Sequence, residues 1–274
     1  MPALLEGSTA ATSRDLTTIS PIGEILRDIS RGGLAGLLLG MIGAGVGGRV
    51  AMRLAALLVP TSAGSLTQNG NRIGEITLSG SLGLVVTGAV FGLLAGTVWV
   101  VVSPWIPGTG LGRALLVAPI AVSLGANGLI ETNNPDFFTL QHDPRVVAAL
   151  LVLVAVIGFL FPLVDGWLDR RLPHVNSGRT GLASTYGLVA AAGAVLILPP
   201  AVLGYLNSPN RGAALIGVAL FGVGFSTLGW WLRRMRGEAL PTGTLTVAGR
   251  ASLLAAVLAG YAATITSVGV VLGV

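Results

Sequence analysis

Seven stretches of the chain stay apolar long enough to cross a bilayer, and the polar positions gather in the short segments between them. About 20 apolar residues span the hydrocarbon core as a helix. Runs at roughly residues 32–59, 79–103, 114–131, 146–168, 182–206, 212–232 and 251–273 meet that measure. The connectors, such as "SPWIPGTGLG" and "NSPNRG", are turns of Gly, Pro and Asn. None is long enough to hold a separate soluble domain. The pattern predicts an all-α integral membrane fold with seven transmembrane helices in one domain, residues 32–274.

Ahead of the first span the periodicity changes. In "ISPIGEILRDISRGG", Ile19, Ile22, Leu26 and Ile29 recur at helical spacing, with Glu24, Arg27, Asp28 and Arg31 between them. That spacing predicts a short amphipathic helix over residues 20–31, lying on the cytoplasmic surface. Residues 1–18 read as a disordered tail, so residues 1–31 form an N-terminal segment apart from the bundle.

Small residues form stripes within the spans. Gly32, Gly36, Gly40, Ala44 and Gly48 recur every four positions in the first span, and Gly88, Gly92 and Gly96 do so in the second. The last span carries Ala255, Ala259, Ala263 and Ser267. Such stripes let helix backbones approach closely. Packing within one chain is the favoured reading, and a homo-oligomer face is the alternative.

Composition agrees with a membrane protein: 53% of residues are hydrophobic and 10% are charged, against about 25% charged in soluble domains. All 16 basic residues are arginine. Without lysine there is no Schiff-base amine and no P-loop of the GxxxxGK[ST] form. Without cysteine there are no disulfides, thiolate nucleophiles or Cys-ligated metals. No cofactor motif stands out. The positive net charge comes from arginines at helix ends, so topology explains it better than nucleic acid does.

The arginines also predict an orientation. With the N-terminus in the cytoplasm, Arg14, Arg27, Arg31, Arg113, Arg170, Arg171, Arg179, Arg233, Arg234, Arg236 and Arg250 fall inside, against Arg72, Arg145 and Arg211 outside. Eleven against three is a positive-inside bias that gives an N-in, C-out protein. Trp99, Trp105, Trp167, Trp230 and Trp231 all fall near the cytoplasmic helix ends and read as interfacial anchors.

Two charges stand out against this pattern. Arg49 and Arg53, in "GAGVGGRVAMRLAALLVP", share one helix face near the outer end of the first span. Helical side chains lean toward the helix N-terminus, here the membrane centre, so Arg49 cannot snorkel outward easily and needs partners. Glu75, Glu131 and Asp136 lie on the same side, and with the two arginines they make a candidate outer polar cluster. One reading pairs the arginines with those carboxylates. Another leaves a guanidinium fork to recognise a small anionic or zwitterionic solute, or a lipid headgroup. A third ends the membrane helix near Gly48.

The remaining polar residues give weaker signals. His142, in "QHDP", reads as a solvated loop residue, and His174 has no carboxylate constellation around it. Asp165 reads as paired locally with Arg170 or Arg171.

At "GEIT" (Gly74–Thr77) and "NPDF" (Asn134–Phe137) the chain resembles a group of uncharacterised polytopic membrane proteins of high-GC bacteria. The resemblance implies a bacterial inner-membrane location and no particular activity. The expected function is a non-enzymatic accessory or scaffold subunit of a membrane assembly, with the lipid bilayer and other membrane subunits as partners. A channel or transporter for a small anionic solute entering from the outer side is the alternative, and an enzyme acting on a lipid-linked substrate comes third.

Overall fold

The computed structural model describes residues 20–68, 70–175, 180–206, 211–238 and 243–274. The tail expected over residues 1–18 lies outside them. Among the described residues the chain is all-helical. Six helical stretches are long and apolar enough to cross a membrane: Pro21–Leu58, Leu78–Trp105, Gly110–Gly128, Pro144–Arg171, Ala214–Met235 and Thr244–Leu272.

The first stretch is three segments in line. Helix α1 (Pro21–Ile42) starts where the Ser20 hydroxyl accepts from the Gly23 N–H at 3.2 Å, with Pro21 in the first turn and Glu24 near the positive end of the helix dipole. The expected surface helix over residues 20–31 is therefore continuous with the first span. Its charged face is packed: Glu24 is 5% exposed and Arg27 1%. A π-helical segment, Gly43–Gly47, comes next, in which the Gly48 N–H reaches back five residues to the Gly43 carbonyl. Helix α2 (Gly48–Leu58) completes the run.

A loop leads to α3 (Leu78–Val102), capped by the Thr77 hydroxyl. Then come α4 (Gly110–Gly125), the single turn α5 (Asp136–Thr139), and α6 (Pro144–Arg171), whose N-cap is Asp143. Helices α7 (Thr180–Leu206), α8 (Arg211–Met235) and α9 (Thr244–Leu272) complete the chain. The fully described apolar part of α7, Gly181–Val195, is shorter than a span.

Helices pack chiefly as the pairs α1/α3, α8/α9 and α4/α6, with α4 also on α9 and α1 also on α6 and α7. The α1/α3 pair is a glycine zipper. A Cβ on Gly36 would lie 2.0 Å from the Gly92 carbonyl oxygen, and one on Gly40 2.0 Å from that of Gly88. Gly96 meets the Gly32 carbonyl in the same way. Bare backbone at these positions is what lets the two helices touch.

The zipper ends at the π segment. Continuing the four-residue step would bring Gly48 to Gly80, but the wide turn inserts one residue and rotates α2 relative to α1. Gly48 instead meets only Leu84, at 3.6 Å, and it is the Arg49 side chain that abuts Gly80. On α9 the packed face takes in the second half of the expected stripe, Ala263 and Ser267, but not the first. Gly249, Leu253, Ala256, Gly260, Ala263 and Ser267 are buried, whereas Ala255 is exposed.

Two of the five tryptophans are core residues rather than interfacial anchors. Trp105, 1% exposed, donates from Nε1 to Thr227 Oγ1 at 2.9 Å and fills the space left by the missing Cβ of Gly249. Trp99 is buried against Phe161.

Candidate functional site

The charged side chains inside the bundle form two layers, one at each end. The near end, where α1 begins, holds an ion-pair network that joins α1, α6 and α8. Arg31 Nε donates to Asp165 Oδ1 at 2.7 Å, and its Nη1 reaches Asp169 and, at 3.3 Å, Asp28. Arg27 Nη1 pairs with Asp169 at 2.9 Å, while its Nη2 donates to the Asp169 carbonyl at 2.6 Å and the Leu172 carbonyl at 3.0 Å. Arg234 closes the network onto the other oxygen of Asp28 at 2.7 Å.

Glu24 extends this layer to the segment after α6. It accepts from the Val175 N–H at 2.8 Å and lies 3.0 Å from His174 Nδ1. Ser30 Oγ donates to the Tyr186 carbonyl at 3.0 Å, which brings in α7. Asp165 is thus paired with Arg31 across 134 residues, not with its neighbours Arg170 and Arg171. His174 does have a carboxylate, which the sequence did not reveal. The sequence signal was present in Glu24, Arg27, Asp28 and Arg31, which share one helix face, and in Asp165 and Asp169, spaced four apart to receive them.

Each of the four carboxylates in this layer has at least one cationic or N–H partner. Taking charges out of water is expensive, and good geometry offsets that only when both partners are present. Beside the network lies a cavity of about 180 Å³ lined by Asp28, Arg31, Trp99, Arg113, Trp230 and Trp231. The guanidinium of Arg113 sits 5.0 Å from the centre of the Trp99 ring.

At the far end, Arg49 and Arg53 are held by backbone. Arg49 Nη1 donates to the Glu75 carbonyl at 3.0 Å and Arg53 Nη1 to the Gly74 carbonyl at 3.1 Å. Gly74, at φ +82°, makes the turn that aims these carbonyls at the helix, and it lies against Ala56, where no Cβ would fit. Arg49 is 7% exposed, and its Nε and Nη2 have no hydrogen-bond partner. A buried donor left unpaired costs about 1–3 kcal/mol, more for a charged group.

The expected outer cluster does not close into ion pairs. The Glu75 carboxylate lies 3.8 Å from Arg72. Asp136 Oδ1 accepts from the Gln68 N–H at 2.6 Å. Glu131 is exposed and forms no ion pair among the described residues. The neighbouring loop is fixed differently from its solvated reading: His142 Nδ1 donates to the Val271 carbonyl at 2.5 Å and packs edge-on to Phe138.

Arg49 and Arg53 border an open cleft of about 820 Å³ on the outer face of α1, α2 and α3. Its wall is aliphatic, with Met41, Ile42, Val46, Val50, Leu54 and Leu57 on one side and Ile76 and Val85 on the other. The two charged layers are far apart: Arg31 and Arg49 are 18 residues apart, or about 27 Å along the helix.

Among the described residues, no three His, Asp or Glu side chains gather as a metal site. Six apolar helices of spanning length, with charge confined to two layers, define a multi-pass membrane protein. Compared with known proteins, the chain matches no family model, no curated protein and no solved structure.

Proposed function

We propose that the chain is a seven-span protein of a bacterial inner membrane, with its N-terminus in the cytoplasm, and that it acts by binding and organising other membrane components as an accessory or scaffold subunit. The observation that carries this reading is the near-end network. The charged side chains of the near end join one helix to another, as Arg31 joins α1 to α6 and Arg234 joins α8 to α1. Polar groups that hold helices together are a framework, and catalysis would need some of them free to meet a substrate.

The seven-span count is supported by the same contacts. Helix α6 ends beside Arg31 and α8 ends beside Asp28, which supports α7 as the segment that carries the chain from the near end to the far end. Its 27 residues give about 40 Å, enough to cross. The 27 Å between the charged layers approaches the ~30 Å of hydrocarbon, which favours one layer at each interface. The arginine count favours the near end as the cytoplasmic one. Under this reading residues 20–31 are the cytoplasmic start of the first span.

Gentle extraction followed by native mass measurement tests the function. The expected result is a complex of fixed stoichiometry that contains a second membrane subunit. A single chain on its own that carries anions across proteoliposome membranes overturns the proposal.

Transport of a small anion through the Arg49 and Arg53 region has one observation in its favour, the unpartnered Nε and Nη2 of Arg49. The cleft they border has an aliphatic wall, which suits a hydrocarbon chain better than a hydrated ion. An enzyme on a lipid-linked substrate has less support, because Asp136 is engaged with Gln68 and Glu75 with Arg72.

A further inference from the structure

We propose that the cleft beside Arg49 and Arg53 binds one anionic phospholipid of the surrounding bilayer, its phosphate on the exposed Arg53 guanidinium beside the buried charge of Arg49 and an acyl chain along Val46, Ile42 and Met41. The inference rests on the membrane setting of the bundle and holds whether or not the chain belongs to a larger assembly.

Charge complementarity identifies the occupant. Arg49 is 7% exposed, and its Nε and Nη2 are enclosed and lack acceptors, so its charge is left without a partner beside the cleft. Arg53, one turn on, is exposed, and its one hydrogen bond is to the Gly74 carbonyl. No carboxylate among the described residues lies within ion-pair distance of either. The exposed fork of Arg53, with the uncompensated charge of Arg49 behind it, matches the oxygens of a phosphate, which accept two parallel hydrogen bonds from a single arginine. A headgroup that also carries an ammonium would bring a third positive charge to a site that already has two.

The wall identifies the rest of the molecule. From Arg49 back toward the bundle centre the cleft is lined by Val46, Ile42 and Met41 on one side and Val85 on the other. Val46 and Ile42 are 64% and 59% exposed. Met41 lies eight residues before Arg49, or about 12 Å along the helix, so the trough runs in the direction of an acyl chain whose headgroup sits at Arg49. The π segment Gly43–Gly47 makes this possible: the extra residue brings Arg49 to the first turn of α3, beside Gly80, where an unbroken helix would have placed Gly48.

The test uses the full chain in mild detergent, titrated with phosphatidylglycerol, phosphatidylcholine or inorganic phosphate and read by native mass spectrometry and by thermal stabilisation. The expected result is one tightly held phosphatidylglycerol, preferred over phosphatidylcholine by about tenfold or more, with inorganic phosphate neither stabilising nor competing. Arg53→Gln, at an exposed position, removes the preference without lowering the unliganded melting temperature. Val46→Trp fills the trough and weakens both lipids alike. Equal binding of the two lipids, or an unchanged preference in Arg53→Gln, overturns the proposal. Stabilisation by inorganic phosphate equal to that by phosphatidylglycerol overturns the lipid as the source of the anion.

Discussion

Arg31 of α1 and Asp165 of α6 are joined by a 2.7 Å hydrogen bond between residues 134 positions apart, and that bond sits at the centre of the layer that ties α1, α6 and α8 together. Both side chains are shielded, at 18% and 8% exposure. Their geometry explains how polar residues can occupy the end of an apolar bundle and strengthen it. Removing one partner has the opposite effect.

Arg31→Gln strands Asp165 and leaves Asp169 with Arg27 as its one cation. Breaking a buried pair from one side costs about 3–5 kcal/mol, and this pair is partly hydrated, so the loss falls at the lower end. Arg31→Met combined with Asp165→Leu removes charge from both sides and recovers part of the loss. Melting temperature in detergent and yield of monodisperse protein measure both variants.

The α1/α3 zipper supplies its own control. Gly36 and Gly33 sit in the same helix, but a Cβ on Gly36 would lie 2.0 Å from a backbone oxygen, while one on Gly33 meets nothing within 4 Å. Alanine improves helix propensity equally at both sites, by about 1 kcal/mol. Gly36→Ala must also force two backbones apart, for which overpacking costs of about 1–3 kcal/mol are usual. Gly33→Ala is therefore neutral or stabilising and Gly36→Ala destabilising, as thermal unfolding of the two variants will show.

Asp143 caps α6 through the Arg145 N–H at 2.8 Å and pairs with the Arg145 guanidinium at 2.6 Å. The side-chain hydrogen bond from Arg145 holds its carboxyl below the usual range. A lowered folded-state pKa contributes stability that is complete above the unfolded value of about 3.9 and is lost as pH falls through the folded one. Asn also caps helices well, so Asp143→Asn isolates the charge. The difference in melting temperature between the two proteins should stay constant from about pH 5 to 8 and close below about pH 4.

The sequence made the apolar helices and the glycine zipper legible, because each rests on a repeat along one segment. The near-end network was hidden for the opposite reason. Glu24, Arg27, Asp28 and Arg31 give the same periodicity whether their face lies on a membrane surface or meets counter-charges on α6 and α8. Only the fold brings Asp165, Asp169 and Arg234 to them.

At the far end the topology put Arg49 and Arg53 on the same side as Glu75, Glu131 and Asp136, but sharing a side is not contact. Their partners are the carbonyls of Gly74 and Glu75, and every residue has a carbonyl, so no sequence pattern marks them. The π segment was concealed in a glycine-rich run that continues the zipper's pattern beyond the point where the zipper ends. On α9, Ala255 and Ala259 continue the spacing of the buried Ala263 and Ser267 without being buried themselves, because alanine suits a lipid-facing position as well as a helix contact.

Placement of the two charged layers at opposite faces of one membrane underlies both the scaffold reading and the lipid site. The chain has no native cysteine, so single cysteines can be introduced directly and labelled in intact cells with a membrane-impermeant thiol reagent. Ser65→Cys and Val274→Cys should label from outside, and Thr109→Cys and Gly237→Cys only after the cells are opened. Labelling of Ser65→Cys and Val274→Cys from opposite sides, or of Thr109→Cys from outside, would contradict the account.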